Sequence, residues 1–142
     1  MKVKFKRLSN KARIPHKGSA GAAAHDLYSI ESVNIPSGQS VFIHTGIAVE
    51  IPEGYFGAIY ARSGLACKYN IRLANDVAVI DSDYRGEMIV ALYNDSDTPF
   101  FIEVGDRIAQ IVIQPYLNIE FEEVDELDET ERGGSGFGSS GR

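Results

Sequence analysis

The sequence predicts an all-β domain, built as a sandwich or a barrel. Three observations carry this. The apolar runs are short and rich in Val, Ile, Phe and Tyr. Gly/Pro turns such as Pro36-Ser-Gly38 and Pro52-Glu-Gly54 separate them. Only one stretch, after Arg62, reads as helical. A dinucleotide fold would need strand-helix alternation, which is missing, and there is no Walker A lysine loop, no His-Glu-x-x-His and no Cys-x-x-Cys.

Length and charge narrow the function classes. A chain of 142 residues fits one domain with a core of its own. The single cysteine, Cys67, cannot form an internal bridge, which points to a reducing compartment. No apolar run approaches a membrane span, and the lysine-rich start is not followed by a signal-peptide core. The expectation is a soluble cytoplasmic protein with no membrane partner. The net charge of −6 sits entirely in the tail: residues 120–142 hold eight acids and two arginines. Residues 1–119 are balanced, with 12 acids and 12 Lys/Arg, so a nucleic-acid partner is not expected. The expected division is a β-barrel over 1–119 and an acidic linker with a Gly-rich arm over 120–142.

In chain order, Lys2, Lys4 and Lys6 alternate with Val3 and Phe5, the pattern of a strand with one solvated face and a protected edge. Small residues, Ala20 to Ala24, lead to His25 and Asp26 at the start of a strand. Asp26 fits both a turn acid and a site acid. His16, His25 and His44 share no ligand spacing. Val33 to Pro52 reads as strand, turn, strand, and Tyr55 to Ala61 as another strand. Ser63 is the expected N-cap of a short helix through Leu65, Ala66 and Cys67. A helix start beside Arg62 can hold an anion, although an ordinary capped helix has the same sequence.

The most informative stretch is Asn75 to Gly86, Asn-Asp-Val-Ala-Val-Ile-Asp-Ser-Asp-Tyr-Arg-Gly. The apolar run Val77 to Ile80 meets Asp81, Asp83 and Tyr84, and a second run, Met88 to Leu92, follows. The pair reads as a hairpin with acids at its mouth. Asp also favours turns for backbone reasons, so this stretch alone does not separate a turn acid from a catalytic one. Phe100 to Val104 and Arg107 to Tyr116 read as strands, the latter carrying Gln110 and Gln114. Glu120 to Glu131 is a solvated acidic stretch. Beyond it, Phe137 stands alone among glycines between Arg132 and Arg142. That composition suits a flexible tail, and it suits equally a mobile arm that closes over a nucleotide.

Five segments resemble the motifs of the homotrimeric dUTPases, in family order and over nearly the whole chain. They are Ala20 to Ser29, Ala61 to Ala66, Asn75 to Gly86, Gly105 to Ile111, and Arg132 to Gly141. The resemblance implies a jelly-roll-like distorted β-barrel with one short helix and a mobile Gly-rich C-terminal arm. It implies a homotrimer with sites shared between subunits, and hydrolysis of dUTP to dUMP and pyrophosphate with Mg²⁺ on the triphosphate. Asp81 would activate the attacking water. Asn75 and the backbone of Val79, Ile80 and Asp81 would read uracil and sugar, Tyr84 would exclude a 2′-hydroxyl, and Ile89 would add a backbone contact. Arg62, Ser63, Gly64 and Gln110 would hold phosphates, with Arg132, Phe137, Gly138 and Ser139 closing from the arm. Asp26 would reach the metal only through water, or act by orienting a neighbour.

The chain departs from the family pattern at three places. His25 stands where Tyr is frequent, and Asp76 and Ala78 stand where Gly is frequent. Asp76 pointing inward would repel a triphosphate. Two rival readings are a dCTP deaminase on the same fold and a binding protein that has lost catalysis. The Asp81-Ser-Asp-Tyr84 sequence and the glycine-rich fifth motif favour the dUTPase reading over the first, and the presence of Asp81, Ser63, Gln110, Arg132 and Phe137 together favours it over the second.

Overall fold

The structure is a computed structural model and describes residues 1–136. Ten strands and one helix follow in order: β1 (Lys4–Arg7), β2 (His25–Tyr28), β3 (Val33–Ile35), β4 (Ser40–Glu50), β5 (Tyr55–Tyr60), α1 (Ser63–Tyr69), β6 (Ile71–Leu73), β7 (Ala78–Ile80), β8 (Glu87–Asn94), β9 (Phe100–Ile102) and β10 (Arg107–Pro115). The all-β expectation with one short helix holds.

The strands form two four-stranded antiparallel sheets, ordered β1-β4-β8-β6 and β2-β10-β5-β7, and a small β3-β9 pair. Strand β8 shows the period-two logic most clearly. Its even-numbered Met88, Val90, Leu92 and Asn94 are buried, while the residues between them face outward. With Ile43, Ile47, Leu27, Ile59, Ile108 and Ile111, the apolar Met88, Val90 and Leu92 make one core. Each such side chain contributes about 1.5–3 kcal/mol by leaving water. Asn94 is buried without penalty because its amide donates to the Ile35 and Thr98 carbonyls and its Oδ1 accepts from Ser96.

Three expectations are corrected. The runs on either side of Asp81 are not a hairpin. Strand β7 pairs with β5, and β8 pairs with β4 and β6, so the connection 81–86 passes from one sheet to the other. The six-residue link is longer than a tight two-residue turn, and each run finds a partner strand elsewhere. Second, the helix is capped by Arg62, in extended conformation and without a side-chain cap bond, so Ser63 is the first helical residue. The helix buries no residue and ends on Asn70 in the left-handed conformation, an αL cap. Strand β9 also stops at Ile102, two residues earlier than expected, where the Val104-Gly105 turn begins.

Strand β1 lies at a sheet edge, as its lysines suggest, with all four residues exposed. Residues 116–136 form no helix or strand, and Leu117, Phe121 and Leu127 are largely exposed.

Candidate active site

The motif residues gather into two patches. The first lies where β2, β10 and the end of β5 meet. Gln110 faces Asp26 on one side and Tyr60 on the other. Period-two geometry and this register bring Asp26, from the start of β2, within reach of Arg62, just past β5. Asp26 Oδ1 accepts from Arg62 Nε at 3.0 Å, and Oδ2 accepts from an Arg107 guanidinium nitrogen at 3.4 Å. Arg62 also donates to the Arg107 carbonyl at 3.4 Å, and the Gln110 amide donates to the Ala61 carbonyl at 2.9 Å. The Asp26 and Arg62 side chains are only 14% and 23% exposed, so that pair is largely desolvated, while Arg107 is half exposed. One carboxylate between two guanidiniums leaves the patch net positive. Ser63 and Gly64 follow, both exposed, and their amides lie at the helix start where no intrahelical acceptor exists.

Arg107 joins this patch through Asp26, although neither its sequence context nor the resemblance implies a role for it. The signal available was its place in the fourth motif, at the start of a strand whose partner begins with the first motif.

The second patch is built on β7 and β8. Strand β7 is a sheet edge, so the backbone groups on its outer side are unpaired by any strand. Val79, Ile80, Asp81, Tyr84, Glu87 and Ile89 line a pocket of about 170 Å³. The connecting loop is braced by its own residues. The Tyr84 amide donates to the Asp81 carbonyl at 3.2 Å, and the Arg85 guanidinium donates to the Ser82 and Tyr84 carbonyls. Asp81 is exposed, and it borders a second, broader groove with Phe56, Glu53 and Tyr116. Asn75 lies in the turn before β7, where its carbonyl accepts from the Val77 amide.

The residues that depart from the family pattern find ordinary explanations. Asp76 has a φ of 58°, the left-handed region where glycine is favoured and Asp is tolerated. Its side chain is 89% exposed and lies 3.6 Å from Arg72, and it does not line the pocket. Ala78 is not at a positive φ and needs no glycine. His25 is held below its ordinary range by burial first, then by Lys17 and His16.

Within one chain the two patches stand apart. Ile80 faces Gly57 and Ala78 faces Ile59. Asp81 therefore falls beside the Phe56 end of β5, while Arg62 follows the other end. At about 3.3 Å per residue, roughly 20 Å of extended strand separates them. Arg132 belongs to neither patch: its Nε donates to the Ser135 carbonyl in its own turn. Phe137, Gly138 and Ser139 lie outside the described residues.

Among the described residues, no three His, Cys, Asp or Glu side chains cluster to hold a metal. With both oxygens of Asp26 facing guanidiniums, the donor set suits a cation carried on phosphate oxygens and reached through water.

The family model described as dUTPase matches residues 10–141. The chain belongs to the dUTPase family. It is 49% identical over 142 residues to the deoxyuridine 5'-triphosphate nucleotidohydrolase of Nautilia profundicola, covering 100% of both chains. It is 47% identical to the Desulfitobacterium hafniense (strain DCB-2) protein of the same name, over 99% of this chain and 95% of that one. Among solved structures, the Staphylococcus bacteriophage 80alpha dUTPase with dUPNHPP superposes with a TM-score of 0.92 at 32% identity, covering 99% of each chain. The all-β fold described above is thus the dUTPase fold. No helix among the described residues is long and apolar enough to cross a membrane.

Proposed function

We propose that this chain hydrolyses dUTP to dUMP and pyrophosphate, at sites assembled from neighbouring copies in a homotrimer. The observation that carries the reading is the separation of the two patches along β5. A base and a phosphate clamp must flank one phosphorus atom, with reacting atoms about 3–3.5 Å apart. Opposite ends of one strand cannot do this, so the Asp81 patch of one copy faces the Arg62 patch of another.

In that assembly Asp81 accepts a proton from water, which attacks the α-phosphorus. An exposed carboxylate on a braced loop is a suitable acceptor. The unpaired outer edge of β7 offers backbone donors and acceptors to uracil through Val79, Ile80 and Asp81. Asn75 and the Ile89 backbone complete the contacts, and Tyr84 lies under the deoxyribose. Arg62, the Ser63 and Gly64 amides, and Gln110 hold the phosphates as charge passes to the leaving pyrophosphate. Asp26 fixes the Arg62 guanidinium and would reach a phosphate-bound metal through water. Mg²⁺ bound with the triphosphate would supply further positive charge to the leaving group. Arg132, Phe137, Gly138 and Ser139 close the site from residues 120–142, which act as a linker and arm on the barrel of residues 1–119. The reaction removes dUTP from the pool used for DNA and supplies dUMP for thymidylate synthesis. A cytoplasmic setting fits an exposed, unbridged Cys67.

Pyrophosphate release from dUTP, UTP and dCTP, with and without Mg²⁺, tests the reading. The expected result is release from dUTP alone, strengthened by Mg²⁺. Ammonia release from dCTP with inert dUTP would make the chain a deaminase instead.

A further inference from the structure

We propose that Gly86 and Glu87 are positioning residues for Tyr84, and so set the preference for deoxyribose over ribose. The proposal rests on the reading that Tyr84 packs under the sugar. The Tyr84 ring folds back over Gly86. A Cβ added at Gly86 would come within 2.9 Å of ring carbon Cε2, and nearer still to Cζ and Oη. Gly86 does not have a positive φ, so its backbone conformation is open to alanine. What demands glycine there is the tyrosine ring, not the chain.

The ring's far end is tethered as well. Tyr84 Oη donates to the Glu87 carbonyl at 2.9 Å. Glu87 is itself held from a strand far away in sequence. Its Oε1 accepts from the Gly46 amide at 2.6 Å, and its Oε2 accepts from His44 Nδ1 at 2.9 Å. Those donors sit where the β4–β8 register shifts between His44 and Ala48. Gly46 has a φ of 66°, with Ala12 and Ser9 side chains close against it. The bulge thus offers its amide and its imidazole to one carboxylate, and that fixes the first residue of β8. Tyr84 is 43% exposed, so core packing alone does not hold its ring. The glycine seat and the Glu87 anchor do.

The consequence is a ring kept at one height under the sugar. Packing that merely excludes an added hydroxyl discriminates by about 10²-fold, and it loses that power as soon as the wall can move.

The experiment is kcat/KM for dUTP and UTP in Gly86→Ala, Tyr84→Phe, Glu87→Gln, Glu87→Ala and Tyr84→Ala, with urea unfolding of each. Gly86→Ala is expected to narrow the dUTP/UTP preference by about tenfold. Its unfolding midpoint should hold or rise, because alanine restricts the unfolded chain. Glu87→Gln keeps an oxygen for the Gly46 amide and should retain most of the preference. Glu87→Ala should lose it, and Tyr84→Phe should fall between. The proposal is overturned if Gly86→Ala and Glu87→Ala lower both substrates by the same factor, or leave the ratio unchanged, while Tyr84→Ala narrows it. An unchanged ratio in Tyr84→Ala overturns the sugar reading and this proposal with it. If Gly86→Ala does not fold, the contrast between Glu87→Gln and Glu87→Ala decides the matter.

Discussion

The two patches of the candidate site are made in opposite ways. The Arg62 patch is long-range: its charges come from β2, the end of β5 and β10, and they meet only because the sheet register brings them together. It is partly buried and bound by ion pairs. The Asp81 patch is mostly local: one loop closes on itself through Tyr84 and Arg85, on an exposed strand edge. The difference teaches where each part is vulnerable. Damage to the first patch reaches the fold, whereas damage to the exposed Asp81 loop reaches chemistry and leaves the fold alone.

Changes in each patch can break or sharpen that contrast. Asp81→Asn should have the largest effect on turnover, a loss of about 10²–10⁴-fold in kcat. Its urea midpoint should match the parent, since Asp81 is exposed and holds no ion pair among the described residues. A normal kcat would show that another group activates the water. Deleting residues 132–142 should also remove most activity while circular dichroism and assembly mass stay unchanged. Full activity in the truncated chain would take the arm out of the site. Asp26→Asn should differ from both by costing stability as well. It leaves two guanidiniums without their carboxylate, at about 1–3 kcal/mol in urea unfolding, together with a raised KM. An unchanged midpoint would mean that the pairs are not formed in solution.

The smallest effect is a pH dependence at the root of the second patch. His44 is raised above its ordinary value of 6.5, chiefly by its hydrogen bond to Glu87. The folded state therefore binds the proton more tightly. The added stability is fully present below pH 6.5 and is lost as pH rises through the higher folded value. His25 works in the other direction, because its lowered value means that protonation below pH 6.5 costs stability. The difference in urea midpoint between parent and His44→Ala should shrink as pH rises from 5.5 to 8, a range set about the ordinary histidine value. A constant difference would remove His44 from this account.

Much of this was legible in the sequence, for identifiable reasons. Turn residues such as Pro36 and Gly38 mark strand ends through backbone geometry, which needs no partner to be known. The motif residues of the first patch could be named singly, and the structure shows Asp26, Arg62 and Gln110 side by side. Strand partnership could not be read. The runs at Val77 and Met88 have the composition of a hairpin, and only the competing strands β5 and β4 decide that they separate. Helix capping failed in a smaller way, because Ser63 has the side chain of an N-cap while Arg62 takes the conformation of one. The Glu87–His44 bond was also out of reach, since its partners are 43 positions apart and neither belongs to a motif with a recognised spacing.

The central claim is that Asp81 and Arg62 act on one substrate from different copies. Complementation tests it most directly. Asp81→Asn and Arg62→Ala chains, each nearly inactive alone, are unfolded together and refolded as an equal mixture. With random assembly into a closed oligomer, about one quarter of the sites regain both native groups. The account predicts dUTP hydrolysis at about that fraction of the parent. Activity no greater than that of the two variants measured separately would place both residues in one chain's site and contradict the account.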